Sequence, residues 1–463
     1  MQGPFDIAAD LDTPVSTFLK LRPLRPRFLL ESVEGGFQLA RYSFLGFGAA
    51  AELHLDASGL RVNGAMRPLA PGRDALLDAL RAALAATPRL APEVPGLPFA
   101  GGLVGVAGYD IVRHFERLPR PPAGAPVPAV PEAAYLATDS LLVFDHLTRR
   151  IALLHAGSGA ERASLRQEVM RLLRGPLPPP APEQRHGPAV QSFSGADFRA
   201  AVERAKHSIS LGDVYQLVLS VRFTGEHSLS PFETYRAMRL INPSPYMFFL
   251  DLGELQVAGS SPEALVRLRG GRAALRPIAG TRPRGEDAAT DLELEADLRA
   301  DEKENAEHVM LVDLARNDLG RVAVPGSVHV DPYKAIERYS HVMHIVSGVQ
   351  GQLAPGRDAF DLFAAAFPAG TLVGAPKVRA MELIDELEPV RRGLYAGTVG
   401  YFGNNGDMDQ AITIRTLVFR DGRYSYQAGA GIVADSVAES EYQEVLAKSA
   451  ILRRALAMAE GGL

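Results

Sequence analysis

Residues 412–448, ITIRTLVFRDGRYSYQAGAGIVADSVAESEYQEVLAK, decide the fold class. Two β-rich runs, ITIRTLVFR and RYSYQAGAG, flank Asp421-Gly422. That dipeptide favours a two-residue hairpin because both of its residues tolerate positive φ. An antiparallel ribbon is therefore predicted. A GxG turn at Gly429, Ala430 and Gly431 then leads into a helix carrying Glu441, Glu444 and Lys448. Residues three, four and seven apart share one helix face. Two carboxylates and an ammonium in that arrangement fit an ordinary solvated face. They also fit a site that holds a divalent cation and an anionic ligand together.

Working outward, residues 28–32, 50–55 and 141–144 are strand-like, and DALLDALRAALAA from Asp74 has the spacing of an amphipathic helix. GGLVGVAGYD (101–110) is a glycine-punctuated apolar run, read as a buried strand close to another backbone. A helix at 161–174 runs into GPLPPPAPEQRHGPAV, whose prolines mark 176–190 as a linker between an N-terminal region, 1–175, and a C-terminal region, 191–463. Beyond it, Ser194 and Gly212 bracket a helix, VYQLVLSVRF reads as a strand, and long helices are expected at 292–318 and 375–387. Helices interleaved with hairpins in no strict alternation predict α+β with largely antiparallel sheets.

A chain of 463 residues with 47% hydrophobic and 22% charged residues has ordinary globular composition and room for a large core. The net charge of -5 argues against a nucleic-acid partner. The absence of cysteine removes disulfides, thiolate metal sites and a cysteine nucleophile. No signal-peptide pattern opens the chain and no apolar run reaches membrane-spanning length, so a cytoplasmic location without membrane contact is expected.

Glu304 and Glu307 lie one turn apart in the expected 292–318 helix, followed by His308. Acidic residues there complement the helix dipole; paired with Glu441 and Glu444 on a second helix, they would also suit magnesium, which takes a few carboxylates plus water and substrate oxygens. Gly280-Thr281 after a strand and Gly370-Thr371 at a helix start fit plain turn and cap chemistry, and also fit oxyanion binding. His341 and His344 form an i, i+3 pair, one of which could titrate in a site. Arg415, central in an apolar strand, needs a buried partner such as a carboxylate ligand.

Taken in order, PIAGTRPRG, DEKENAEHVMLVDLARNDLGRV, FPAGTLVGAPKVRAMELI, GTVGYF and GAGIVADSVAESEYQEVLAK resemble the signatures of the chorismate-utilising enzymes, and within them the anthranilate synthase component I family. The resemblance covers nearly the whole chain. It implies that family's fold, large mostly antiparallel β-sheets packed as a sandwich with helices outside. It implies Mg2+ held by Glu307 and Glu444, with Glu304 and Glu441 as a second carboxylate shell. Gly280, Thr281, Tyr395, Arg415, Gly429, Ala430, Gly431 and Lys448 match positions that contact chorismate or the pyruvate it loses. His344 and Thr371 match residues beside the ring, and His344 is the expected proton-transfer group. These donors suit a dicarboxylate substrate.

Two positions separate the branches. Isochorismate and salicylate synthases look similar but carry a water-activating lysine where this chain has Gln216; aminodeoxychorismate synthases resemble PIKGT, with a lysine nucleophile at the place of Ala279. Gln216 cannot act as a base, which fits ammonia as the attacking group. The resemblance therefore implies a lyase of tryptophan biosynthesis, with a separate glutamine amidotransferase subunit supplying ammonia. FLLESVEGG and NPSPYMFF resemble a tryptophan feedback segment, implying effector contacts at Ser32, Pro243, Ser244, Pro245, Tyr246 and Met247. An aminodeoxychorismate synthase and a non-catalytic regulatory subunit stand as alternatives.

Overall fold

The structure is a computed structural model describing residues 3–32, 41–119, 130–179, 184–339 and 342–463. Asp421 and Gly422 both take positive φ, and the hairpin closes with Arg420 opposite Arg423, as the dipeptide predicts. From this ribbon one antiparallel sheet extends in both directions. Arg423–Ile432 pairs with Gln216–Glu226, and Thr416–Arg420 pairs with Gln256–Ser261. Next come Tyr246–Asp251, Pro26–Glu31, Tyr42–Asp56 and Ala133–Asp145. Past Ala133–Asp145 the order is Gly102–Ala107, Thr398–Gly403, Met408–Ile412 and Ala264–Arg269. Strands from both sides of residues 176–190 thus belong to one sheet.

The sheet folds over itself into two leaves. Between them pack Phe28, Phe44, Phe248 and Val257 from one leaf against Val104, Val399, Tyr401 and Ala411 from the other. Gly102–Ala107 is buried throughout, and a Cβ on Gly105 would lie 2.0 Å from the Ala134 carbonyl oxygen, so that strand is indeed a close backbone neighbour. Outside the sandwich, Ala438–Gly461 packs on Arg423–Ile432 through Val445, Leu452 and Leu456. Burying each such side chain is worth roughly 1.5–3 kcal/mol. A separate three-stranded sheet, Ile278–Pro283, Val342–Val346 and Ala335–Arg338, lies beside the helices Ala288–Ala300 and Glu302–Gly320.

Four local expectations are revised. The 292–318 helix is two helices, because Asp301 takes ψ 107° and its side chain accepts a hydrogen bond from the Glu304 amide, capping a new N-terminus. The 412–420 strand is broken at Arg415, whose φ of 49° turns the chain between Met408–Ile412 and Thr416–Arg420. Gly429, Ala430 and Gly431 are not a turn but the end of the Arg423–Ile432 strand. Gly280, expected just after a strand, sits within one, Ile278–Pro283, at a register shift, with φ 68°.

A buried ion pair clamps the sandwich beside the glycine strand. Arg392 and Glu388 have side chains 1% and 3% exposed and stand 2.8 Å apart. Arg392 also donates to the Leu372 and Val218 carbonyls, while Glu388 accepts from the Ser220 amide and hydroxyl. Arg392→Ala would strand a buried carboxylate. The expected loss is about 3–5 kcal/mol of stability, read from urea denaturation.

Candidate active site

Gly429 has backbone and a tyrosine hydroxyl where a side chain would stand, and a side chain at Gly431 would displace Gln216. A Cβ on Gly429 would lie 2.7 Å from both the Leu219 carbonyl and the Tyr395 hydroxyl; one on Gly431 would lie 2.8 Å from Gln216 Nε2. The strand is therefore a floor over which polar groups converge. Gln216 is buried and donates from Nε2 to Glu307 Oε1 at 3.3 Å. Its own Oε1 is buried without a hydrogen-bond partner. Lys448 Nζ donates to the Gly429 carbonyl at 3.1 Å and pairs with Glu444 at 2.6 Å. One continuous path of contacts thus joins Glu307, Gln216, the glycine strand, Lys448 and Glu444. Gly429→Ala should lower kcat/KM for the turnover proposed below by about ten-fold or more, because sub-ångström misplacement of positioning groups is costly. Steady-state kinetics beside a thermal melt would separate that from unfolding.

The acidic groups feel one another. Burial raises Glu304 above the usual carboxylate range, and the charges of Glu307 and Asp301 add to the effect. Burial likewise raises Glu441, with Glu444 adding, against lowering by Ser436, Lys303 and Lys448. Lys303 stands on the Glu302–Gly320 helix, so the two acidic helix starts share one field. Among the described residues no three His, Asp or Glu side chains gather closely enough to hold a metal alone. Two carboxylates completed by water and a ligand oxygen match how Mg2+ is commonly held, and the net raising of Glu304 and Glu441, despite Lys303 and Lys448 nearby, fits such a cation.

At the other end, Thr281 and His344 meet. His344 Nδ1 lies 2.9 Å from the Gly280 carbonyl and 3.1 Å from Thr281 Oγ1. A carbonyl only accepts, so Nδ1 carries the proton. Burial lowers the His344 pKa, keeping the ring neutral at pH 7. His341 lies outside the described residues. Thr371, in a short 3-10 turn, donates to Glu263 Oε1 at 2.9 Å.

Glu263 is the residue that sequence reading missed. Burial pushes its pKa up to about 7, against lowering by the Thr371 hydroxyl and by the charges of Arg415 and Lys448. A carboxyl poised near neutrality among those groups is suited to proton transfer. The available signal was an acid immediately before the apolar strand Ala264–Arg269.

Away from these groups a cavity of about 520 Å³ opens between the leaves. Ser32, Pro245, Tyr246 and Met247 line it together with Glu31, Arg41, Tyr401 and Asp409. Tyr246 donates to Asp409 at 3.0 Å, and Arg267 holds both. Pro243 and Ser244 are outside this lining; Ser244 is buried and accepts from Ser260 at 3.0 Å.

Residues 25–454 match the family described as chorismate binding enzyme. The chain is 47% identical over 460 residues to anthranilate synthase component 1 of Thermus thermophilus, covering 98% of this chain and 97% of that one. It is 46% identical to the Pseudomonas aeruginosa protein of the same name, covering 98% and 95%. The crystal structure of anthranilate synthase component I from Streptococcus pneumoniae superposes with a TM-score of 0.78 at 37% identity, covering 89% and 92%. The menaquinone-specific isochorismate synthase MenF of Escherichia coli, at 20% identity and a TM-score of 0.70, shares the fold. The chain belongs to the chorismate binding enzyme family and, within it, to the anthranilate synthase component 1 group.

Proposed function

We propose that the chain is a Mg2+-dependent lyase converting chorismate and ammonia to anthranilate, pyruvate and water in tryptophan biosynthesis. The observation that carries this reading is Gln216 donating to Glu307 beneath the glycine strand. A carboxamide takes no proton from water, so this position favours a nucleophile that needs no base, and ammonia is one. Glu307 and Glu444 would hold Mg2+; a bound divalent cation offsets charge developing on the ring carboxylate. Arg415, Tyr395 and the strand amides of Gly429 and Gly431 would hold the enolpyruvyl carboxylate, and Lys448 the ring carboxylate. Ammonia adds at C2 while the C4 hydroxyl departs, and pyruvate is then eliminated to restore aromaticity. We assign the proton for the departing hydroxyl to Glu263, because burial raises its pKa to about 7 and so leaves it partly protonated at neutrality beside Thr371; His344, neutral, would hydrogen-bond beside the ring. No base step requires a lysine at Gln216 or Ala279.

Pyruvate release from chorismate, ammonium and Mg2+ tests this. Release that stops with a chelator and returns with added Mg2+ is expected; none under any condition would contradict it. Membership in a component 1 group supports a partner component, here proposed to be a glutamine amidotransferase that delivers ammonia. No helix among the described residues is long and apolar enough to cross a membrane, which is compatible with the expected cytoplasmic location.

We further propose that the 520 Å³ cavity takes tryptophan as a feedback inhibitor. It offers aromatic and apolar walls for a ring and both charge signs, Arg41 and Arg267 with Glu31 and Asp409, for an amino acid zwitterion. Ser32→Ala should raise the tryptophan concentration giving half inhibition by about five-fold or more, the scale of one lost hydrogen bond. Chorismate KM should stay unchanged in the same assays.

A further inference from the structure

The face of the sheet that carries the active site continues past it. Ser220, Arg222 and Thr224 stand opposite Gly429, Gln427 and Ser425 in turn. Beyond Tyr395, whose hydroxyl packs on Gly429, this face opens into a further cavity of about 410 Å³. Its polar wall includes Arg222, Thr224 and Gln427, and its apolar wall Leu394, Ile414 and Val418.

Arg222 has a peculiar position there. It is half-buried, and its guanidinium donates to the Arg391 carbonyl. Among the described residues no carboxylate forms an ion pair with it. The acids that act on it from a distance are already held, Glu388 by Arg392 and Asp110 by Arg391 and Arg113. Asp421, the one carboxylate of the lining, is paired with Arg420 at 3.2 Å. Burial outweighs those distant acids and depresses the Arg222 pKa, yet a guanidinium does not give up its proton in a protein. Thr413, also in the lining, has a buried hydroxyl with no hydrogen-bond partner. Buried polar groups are almost always satisfied, and a half-buried cation without an anion is costly. Apolar surface on one side and an unmatched cation on the other describe a guest with an apolar body and an anionic end.

We propose that this cavity is a binding site for a small organic carboxylate, with the carboxylate on Arg222 and the carbon skeleton against Leu394, Ile414 and Val418. Two sources share that chemistry, a three-carbon keto acid and an aromatic acid, the product classes of the reaction proposed above. The choice between them rests on that reaction; the site does not.

The test is calorimetric titration of the full chain with sodium pyruvate and, separately, sodium benzoate. Arg222→Gln should weaken at least one probe by about ten-fold or more, the scale of a charged hydrogen bond. Arg222→Lys should fall between, and Thr413→Val should weaken the same probe independently of any effect of Arg222→Gln on folding. A change with pyruvate alone assigns the keto acid, and a change with benzoate alone the aromatic acid; either supports the site. Failure of both probes to bind the wild-type chain, or binding unmoved by Arg222→Gln and Thr413→Val, overturns it. Chorismate turnover in the same preparations tests the reaction separately, and its KM should not move in Arg222→Gln.

Discussion

Glu444→Gln is expected to lower kcat for chorismate by about a hundred- to a thousand-fold, the usual scale for removing one group that stabilises transition-state charge. It should do so without destabilising the fold. Glu444 lies on an exposed helix face and its ion pair is with Lys448, four residues on, an arrangement worth only about 0.5 kcal/mol. The polar side chain keeps its volume, so a melting temperature close to wild type is expected beside the loss of rate. Glu307→Gln should behave alike in rate and, in addition, disturb Gln216, which donates to it. Retention of kcat within two-fold in Glu444→Gln would remove the carboxylate from the mechanism and with it the reason to expect Mg2+ there.

Glu263→Gln carries the second large effect, a fall in kcat of about 10²- to 10⁴-fold, as expected for losing a general acid. Its sign with pH follows from the raised pKa. The acid works protonated, so wild-type kcat should hold below about pH 7 and decline as pH rises through that value. In Glu263→Gln the residual rate should lose this limb. Stability moves the other way. The folded pKa of about 7 lies above the ordinary value of 4.5, so this group's contribution is fully present below about 4.5 and lost as pH rises through 7. A permanently neutral glutamine should therefore raise the melting temperature at pH 8 while leaving only that residual rate. A merely structural Glu263 would show lowered stability together with lowered rate, and no lost pH limb.

The sequence was most legible where local chemistry alone decides conformation. Asp421-Gly422 dictates its hairpin whatever surrounds it, and Ser194 caps its helix by accepting from the Asp197 amide three residues on. It was less legible where tertiary neighbours decide. Gly429 and Gly431 look like a turn from composition, yet they are glycine because Leu219, Tyr395 and Gln216 approach from other segments. Arg415 looks like a strand residue, yet it takes left-handed φ and breaks the strand. The acidic pairs on the two helices were visible by spacing, whereas their shared field through Lys303 depends on packing. Glu263 had no spacing signal at all: its raised pKa arises from burial, and its partners lie at Thr371, Arg415 and Lys448, over a hundred residues downstream.

Of all these expectations, product identity reaches the central claim most directly. The chain, incubated with chorismate, Mg2+ and ¹⁵N-labelled ammonium without any partner, should yield ¹⁵N-labelled 2-aminobenzoate with one pyruvate for each ring, resolved by chromatography and mass. A labelled 4-amino isomer, an unlabelled hydroxylated ring, or no product would contradict the role given to Gln216 and Ala279.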